Sequence, residues 1–150
     1  MIDLDKAQQV VNAVIKERMC DVEFFCSMDE EEKGVEWRAE SVVIGDLDDE
    51  FDCTIGYYDG LLSFDVTSMR IFTIEQKTLY WLNEYNRESF LFCAFLQPEK
   101  NNADSAYLTF TFGAPAYDEQ ALERMMKAFV KAINELADSK AVQRLIDFGE

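Results

Sequence analysis

The chain has 150 residues, of which 49% are hydrophobic, and its 30 acidic side chains outnumber its 14 basic ones. This size and composition predict one folded domain over residues 1–150 and exclude a disordered chain. The formal net charge of −16 disfavours nucleic acid and anionic lipid as partners and favours basic ones, although a well-solvated surface has the same signature.

Several kinds of site are missing from the sequence. There is no histidine, which removes the commonest general base and metal ligand, and the four cysteines form no C-x-x-C pair. We therefore expect no metal and no cofactor. Cys26, Cys53 and Cys93 lie in apolar or alternating runs and are predicted to face the core, which fits a reducing compartment. With no signal-peptide pattern and no long apolar run, a soluble cytoplasmic protein is predicted, without membrane contact.

The first elements follow from periodicity. Apolar spacing predicts a helix over residues 3–19 with Asp3 as its N-cap. Alternation predicts a strand over residues 22–28 and a second strand over residues 35–44. The apolar positions of the second strand change parity midway, which predicts a bulge near Ser41.

The acidic run that begins at Asp46 suggests a calcium loop. An EF-hand loop with this start requires glycine at position 51 and glutamate at position 57, where the sequence has Phe51 and Tyr57. A charged hairpin loop is predicted instead.

Asp59-Gly60 is the clearest local signal, because this pair is typical of a type I′ hairpin turn. A two-residue turn fixes the register of the flanking strands, 51–58 and 61–68. It places these residues opposite each other on one face: Tyr57 and Leu62, Ile55 and Phe64, Cys53 and Val66.

The stretch Leu79–Phe95 places polar residues among aromatic ones. Thr73 and Gln76 match a capping box, and a helix is predicted from residue 74 to 87 with Asn86 as its exit residue. Phe90–Leu96 is apolar on both faces, which predicts a central strand. The stretch contains no general base, so we interpret it as structural and assign no catalytic residue.

The last third predicts a strand over residues 106–113 and a helix from Asp118, with a short separate helical segment near Val142. The element order is then α-β-β-β-β-α-β-β-α. Helices separated from antiparallel hairpins predict an α+β fold.

The segment from Leu79 to Phe148, with "LYWLNEYNRESFLFCAFL", "AYLTFTF" and the long final helix, resembles the YbjN-type domains and, behind them, the type III secretion chaperone-like fold. This resemblance implies a homodimer that binds protein segments, and it implies no catalytic residue.

Three functions were compared. The first is a non-enzymatic, chaperone-like module that binds a basic or amphipathic protein or peptide. The second is an acidic immunity or inhibitor protein that neutralises a basic toxin. The third is an enzyme that uses carboxylates, with four candidates: Glu36, Glu40, Asp52 and Asp65. Chance alone places carboxylates together in so acidic a chain, so the first function is preferred.

A partner or dimer surface is predicted around the second helix and the strand after it, because one small core cannot take so many large side chains. The residues of this surface are Tyr80, Trp81, Tyr85, Phe90, Phe92 and Phe95.

Overall fold

The computed structural model describes residues 2–89 and 91–147, and this part of the chain forms four helices and six strands. The helices are α1 (Leu4–Arg18), α2 (Gln76–Glu88), α3 (Glu119–Asp138) and α4 (Lys140–Asp147). The strands are β1 (Phe25–Asp29), β2 (Gly34–Val43), β3 (Glu50–Tyr58), β4 (Leu61–Thr73), β5 (Cys93–Glu99) and β6 (Asn102–Pro115).

The six strands form one antiparallel sheet in the order β1-β2-β3-β4-β6-β5, so the predicted α+β fold is confirmed. Buried side chains alternate along the strands and join buried residues of all four helices in one core cluster. The helices therefore cover one face of the sheet, and the opposite face, called here the open face, is polar. No helix among the described residues is long and apolar enough to cross a membrane.

The predicted register of the β3–β4 hairpin is confirmed at each of the three expected pairs. Asp59 and Gly60 both have positive φ, 51° and 78°, as a type I′ turn requires. Cys53, Ile55 and Tyr57 are buried and face the helices.

Two further local predictions are confirmed. The β2–β3 register shifts between Ala39 and Val42, and Ser41 has a φ of 54°, so a bulge reverses the parity of β2. The Asp3 carboxylate caps α1 by accepting the Lys6 N–H. The last long helix was predicted from Asp118 and begins one residue later, at Glu119, with Asp118 as its N-cap.

α1 and α3 run side by side in the same direction. Lys6 lies 3.8 Å from Glu119 near their first turns, and Arg18 lies beside Lys131 further along. Asn12 joins α1 to the sheet by accepting the indole N–H of Trp37 at 2.9 Å. In the core, the Phe129 ring of α3 stacks on a β4 ring, Phe64, with centroids 3.9 Å apart.

Two predictions about the middle of the chain are wrong. Thr73 is the last residue of β4, and its carbonyl accepts the Thr78 hydroxyl, so α2 begins later and its N-cap is Glu75. The apolar strand after α2 is β5, which lies at the edge of the sheet. Ala94 is buried on the helix side, whereas Cys93 and Phe95 are exposed on the open face. An apolar pattern does not show which of its side chains another element covers.

The cysteine predictions are confirmed for Cys53 and wrong for Cys26 and Cys93, which are exposed. Cys93 pairs with Thr111, whose side chain lies on the open face, so the Cys93 side chain points to that face as well. Cys26 shares the helix side with Trp37, but β1 is an edge strand that α1 covers only in part. An alternating pattern predicts on which face of the sheet a side chain lies, but the side chain is buried only where another element covers that face.

We expect Cys20 and Cys93 to react rapidly with a thiol reagent at pH 8, and Cys53 to react only after denaturation. Cys26 should react more slowly than the other exposed thiols, because burial raises its pKa. Burial, followed by the charge of Asp52, raises the pKa of Cys53 to about 12, so its thiol is protonated and enclosed in the native state. The measurement is a count of labelled cysteines by peptide mass spectrometry. Rapid native labelling of Cys53 would contradict the β3–β4 register.

Candidate functional site

The predicted aromatic surface is divided between the core and the solvent. Tyr80 is 66% exposed and Phe95 39%, whereas Tyr85 and Phe92 are 6% and 3% exposed. Trp81 is half-buried, and Phe90 lies outside the described residues.

Tyr85 and Phe92 are unavailable to a partner because both pack against the core. The Tyr85 ring meets Phe110 edge-on at 5.2 Å, and Phe92 meets Phe110 and Phe129 at 6.4 and 5.9 Å. Burial also raises the pKa of Tyr85, so its hydroxyl is protonated at neutral pH. Only the exposed part of the predicted surface, Tyr80 and Phe95, is left as a proposal.

The four carboxylates considered for catalysis lie on the open face and on three different strands. Glu36 pairs with the Arg38 guanidinium at 3.2 Å, and Asp52 accepts the Ser41 N–H at the β2 bulge. Among the described residues, no group of three or more acidic or cysteine side chains could hold a metal ion.

A polar cluster that extends from the buried Ser68 to the exposed Asp48 lies at the irregular part of β4. Asp49 accepts the Ser68 hydroxyl, and Arg70 lies 3.2 Å from Asp48 and donates to the Ile146 carbonyl at 3.1 Å. Burial raises the pKa of Asp49, while the Ser68 hydrogen bond opposes this. The cluster joins the 46–49 loop to the last turn of α4, which is a structural role.

The β3–β4 turn determines which backbone groups point out of the sheet. In antiparallel pairs, residues alternate between those that exchange both backbone hydrogen bonds and those that exchange none. The two-residue turn makes Tyr58 and Leu61 a bonded pair. The observed registers carry this alternation from the turn through β3 and β2 to β1. The N–H and C=O groups of Ser27 therefore point toward β2, and those of Cys26 and Met28 point away from the sheet.

β1 is an open edge. No described strand pairs with its outer side, and it contains no lysine or proline of the kind that commonly protects an edge. Its side chains are exposed as well, with Phe25 at 66% on the open face and Met28 at 43% on the helix side. The nearest cover is Gln8 of α1, whose amide lies 3.8 Å from the Cys26 sulfur.

The negative charge is concentrated in the part of the sequence that contains this edge. The four helices hold ten basic and nine acidic residues, so the rest of the sequence holds four basic and 21 acidic ones. Residues 21–65 alone contain 15 acidic and two basic side chains. β1 is followed directly by a turn with three glutamates, residues 30–32. The negative electrostatic field of this turn therefore lies next to the unpaired backbone groups of β1.

The sequence predicted β1 and its acidic turn but did not predict that β1 is an edge strand. The usable signal was local: β1 is short, and acidic residues lie on both sides of it, as is common for edge strands. Sheet order depends on long-range pairing, which no local pattern contains.

The fold was compared with those of solved structures. The fold is similar to "YbjN, a putative transcription regulator from E. coli", with a TM-score of 0.48, 13% sequence identity, and coverage of 87% of this chain and 91% of that one. No protein-family model matches the sequence, and a search of curated proteins found no match. The resemblance to YbjN-type and chaperone-like domains therefore stays a prediction.

We expect the Cys26 and Met28 amides to exchange rapidly with solvent deuterium and the Ser27 amide to be protected, because Ser27 bonds to β2. Residue-resolved exchange by NMR measures this. Protection at Cys26 and Met28 with exposure at Ser27 would reverse the assignment of the edge.

We expect Phe92→Ala to lower the free energy of unfolding by about 3–5 kcal/mol, because it leaves a cavity against Phe110 and Phe129. Tyr80→Ala, at an exposed position on α2, serves as the control and should change it by less than about 0.5 kcal/mol. Urea denaturation measures both. Equally small effects of the two substitutions would contradict the burial of Phe92.

Proposed function

We propose that this chain is a non-enzymatic protein-binding module that captures an extended, basic segment of a partner protein by adding it as a strand to β1. The observation that carries the proposal is the coincidence of an unpaired edge with the most acidic part of the chain. Three exposed free thiols, Cys20, Cys26 and Cys93, fit the reducing cytoplasm as its compartment.

Backbone pairing supplies the affinity in this mode. A strand beside β1 would bond to the N–H and C=O groups of Cys26 and Met28, which point away from the sheet. An edge offers such bonds to any extended segment without regard to its sequence. The side chains must therefore provide the selectivity.

The two faces of the edge select different side chains. On the open face, an added strand lies next to Ser27, Asp29 and the neighbouring Glu36, so alternate basic side chains are favoured. On the helix side it lies next to Cys26 and Met28, where apolar side chains are favoured. The expected ligand alternates basic and apolar residues.

The same charges disfavour a second copy at this edge. Two β1 strands placed side by side would bring both acidic turns together, and like charges at this distance repel. A basic partner removes that repulsion.

The first test uses an eight-residue probe that alternates lysine and valine, measured by calorimetry. We expect binding that weakens as salt rises, because the attraction is partly between exposed charges. The control is the same peptide with N-methyl groups on its four central residues, which keeps the charge and blocks backbone pairing. If both peptides bind equally, the acidic surface acts without strand addition, as in the inhibitor hypothesis.

The second test changes the protein. Replacing Glu30, Glu31 and Glu32 together by glutamine should weaken probe binding about tenfold, since three exposed pairs at about 0.5 kcal/mol each sum to roughly 1.5 kcal/mol. The matched control replaces three helical acids, Glu17, Glu123 and Asp138. Equal losses in both triple variants would place the partner elsewhere.

The third test blocks the edge directly. Cys26→Pro removes an N–H that points away from the sheet without removing a bond to β2, so the fold should be kept and probe binding lost. Cys26→Ala removes the same thiol and should bind normally. Retained binding by a folded Cys26→Pro protein would contradict the proposal.

A further inference from the structure

The opposite edge of the sheet is closed in part, because the side chain of Asn86 occupies its first outward position. The alternation that begins at the Asp59-Gly60 turn continues through β4 and β6 to β5. It directs the backbone groups of Ala94, Leu96 and Pro98 away from the sheet.

Asn86 of α2 fills the first of these positions. Its Oδ1 accepts the Ala94 N–H at 2.7 Å, and its Nδ2 donates to the Ala94 carbonyl at 2.9 Å. A residue of a neighbouring antiparallel strand would form the same reciprocal pair of hydrogen bonds. The side-chain amide therefore occupies the place of a seventh strand.

Other groups block the same edge before and after Ala94. The Ser89 hydroxyl donates to the Phe92 carbonyl at 2.7 Å, just before β5. Pro98 has no N–H to offer. Among the outward positions of β5, Leu96 keeps both its N–H and its carbonyl without such a block.

The segment that Asn86 covers is well suited to pair with its own copy. Residues 91–98 contain no charged side chain, in contrast to the acidic surroundings of β1, and Phe95 is 39% exposed. An uncharged edge with exposed apolar groups is the kind that pairs with other chains. Two copies of β5 related by a two-fold axis would pair antiparallel with themselves.

We infer that Asn86 is an edge-blocking residue, which keeps β5 from pairing with β5 of a second copy and leaves β1 as the accessible edge. This role is independent of the partner proposed for β1. Asn83 lies on the same helix but is exposed, so this role belongs to Asn86 and not to Asn83.

The test compares Asn86→Ala with Asn83→Ala by light scattering after size exclusion, at about 100 μM, well above a micromolar dissociation constant. We expect twice the wild-type mass for Asn86→Ala and the wild-type mass for Asn83→Ala. Adding Leu96→Pro to Asn86→Ala should restore the wild-type mass, because it removes another outward N–H and no bond to β6. A folded Asn86→Ala protein at the wild-type mass would overturn the inference.

A measurement on the wild-type protein keeps the inference testable if Asn86→Ala does not fold. Amide exchange should be slow at Ala94 and fast at Leu96, because Asn86 bonds only the first. Equal exchange at the two amides would overturn the block. A wild-type dimer that Leu96→Pro dissociates would overturn it as well, since β5 would then already be paired.

Discussion

The two-residue turn at Asp59-Gly60 determines the parity of the whole sheet. Both residues adopt positive φ, which makes Tyr58 and Leu61 a bonded pair and fixes every later pair of β3 and β4. Because each further strand is in antiparallel register with its neighbour, the same alternation extends to both edges. It decides which side chains meet the helices and which backbone groups stay available at β1 and β5.

The sheet and the helices have different electrostatic roles. The helices are nearly neutral, and their buried faces supply core contacts such as the stack of Phe129 on Phe64. The strands and loops hold all of the excess negative charge. A sheet with one covered face can hold this charge at little cost, because its carboxylates stay in water on the open face. The packing of the core therefore does not depend on the charge that the strands and loops hold.

The accuracy of the sequence predictions depends on how local the determining interaction is. The turn, the Ser41 bulge and the Asp3 cap each depend on contacts within a few residues, and all are confirmed. The predicted central position of β5 is wrong, because the place of a strand in the sheet depends on long-range contacts. For β5 these are its pairing with β6 and its packing under α2.

The candidate site failed in part for the same reason. A wheel of α2 identifies Tyr80 as outward-facing, but whether Tyr85 and Phe92 reach the core depends on Phe110, which lies on a strand whose place in the sheet the sequence does not show. The Asn86 amide was assigned to the helix exit, whereas its partner is a strand eight residues later. A polar residue at a helix end can bond to the next element, and the sequence does not show which partner it takes.

The side-by-side contact of α1 and α3 has a consequence for synthesis on the ribosome. α1 emerges more than 100 residues before α3, which at about 5–20 residues per second is a delay of roughly 5–20 s. During that time the β3–β4 hairpin can form, but the apolar stripe of α1 at Ala7, Val11 and Val14 has no permanent cover. The contact between α1 and α3 can therefore form only after all six strands have been synthesised.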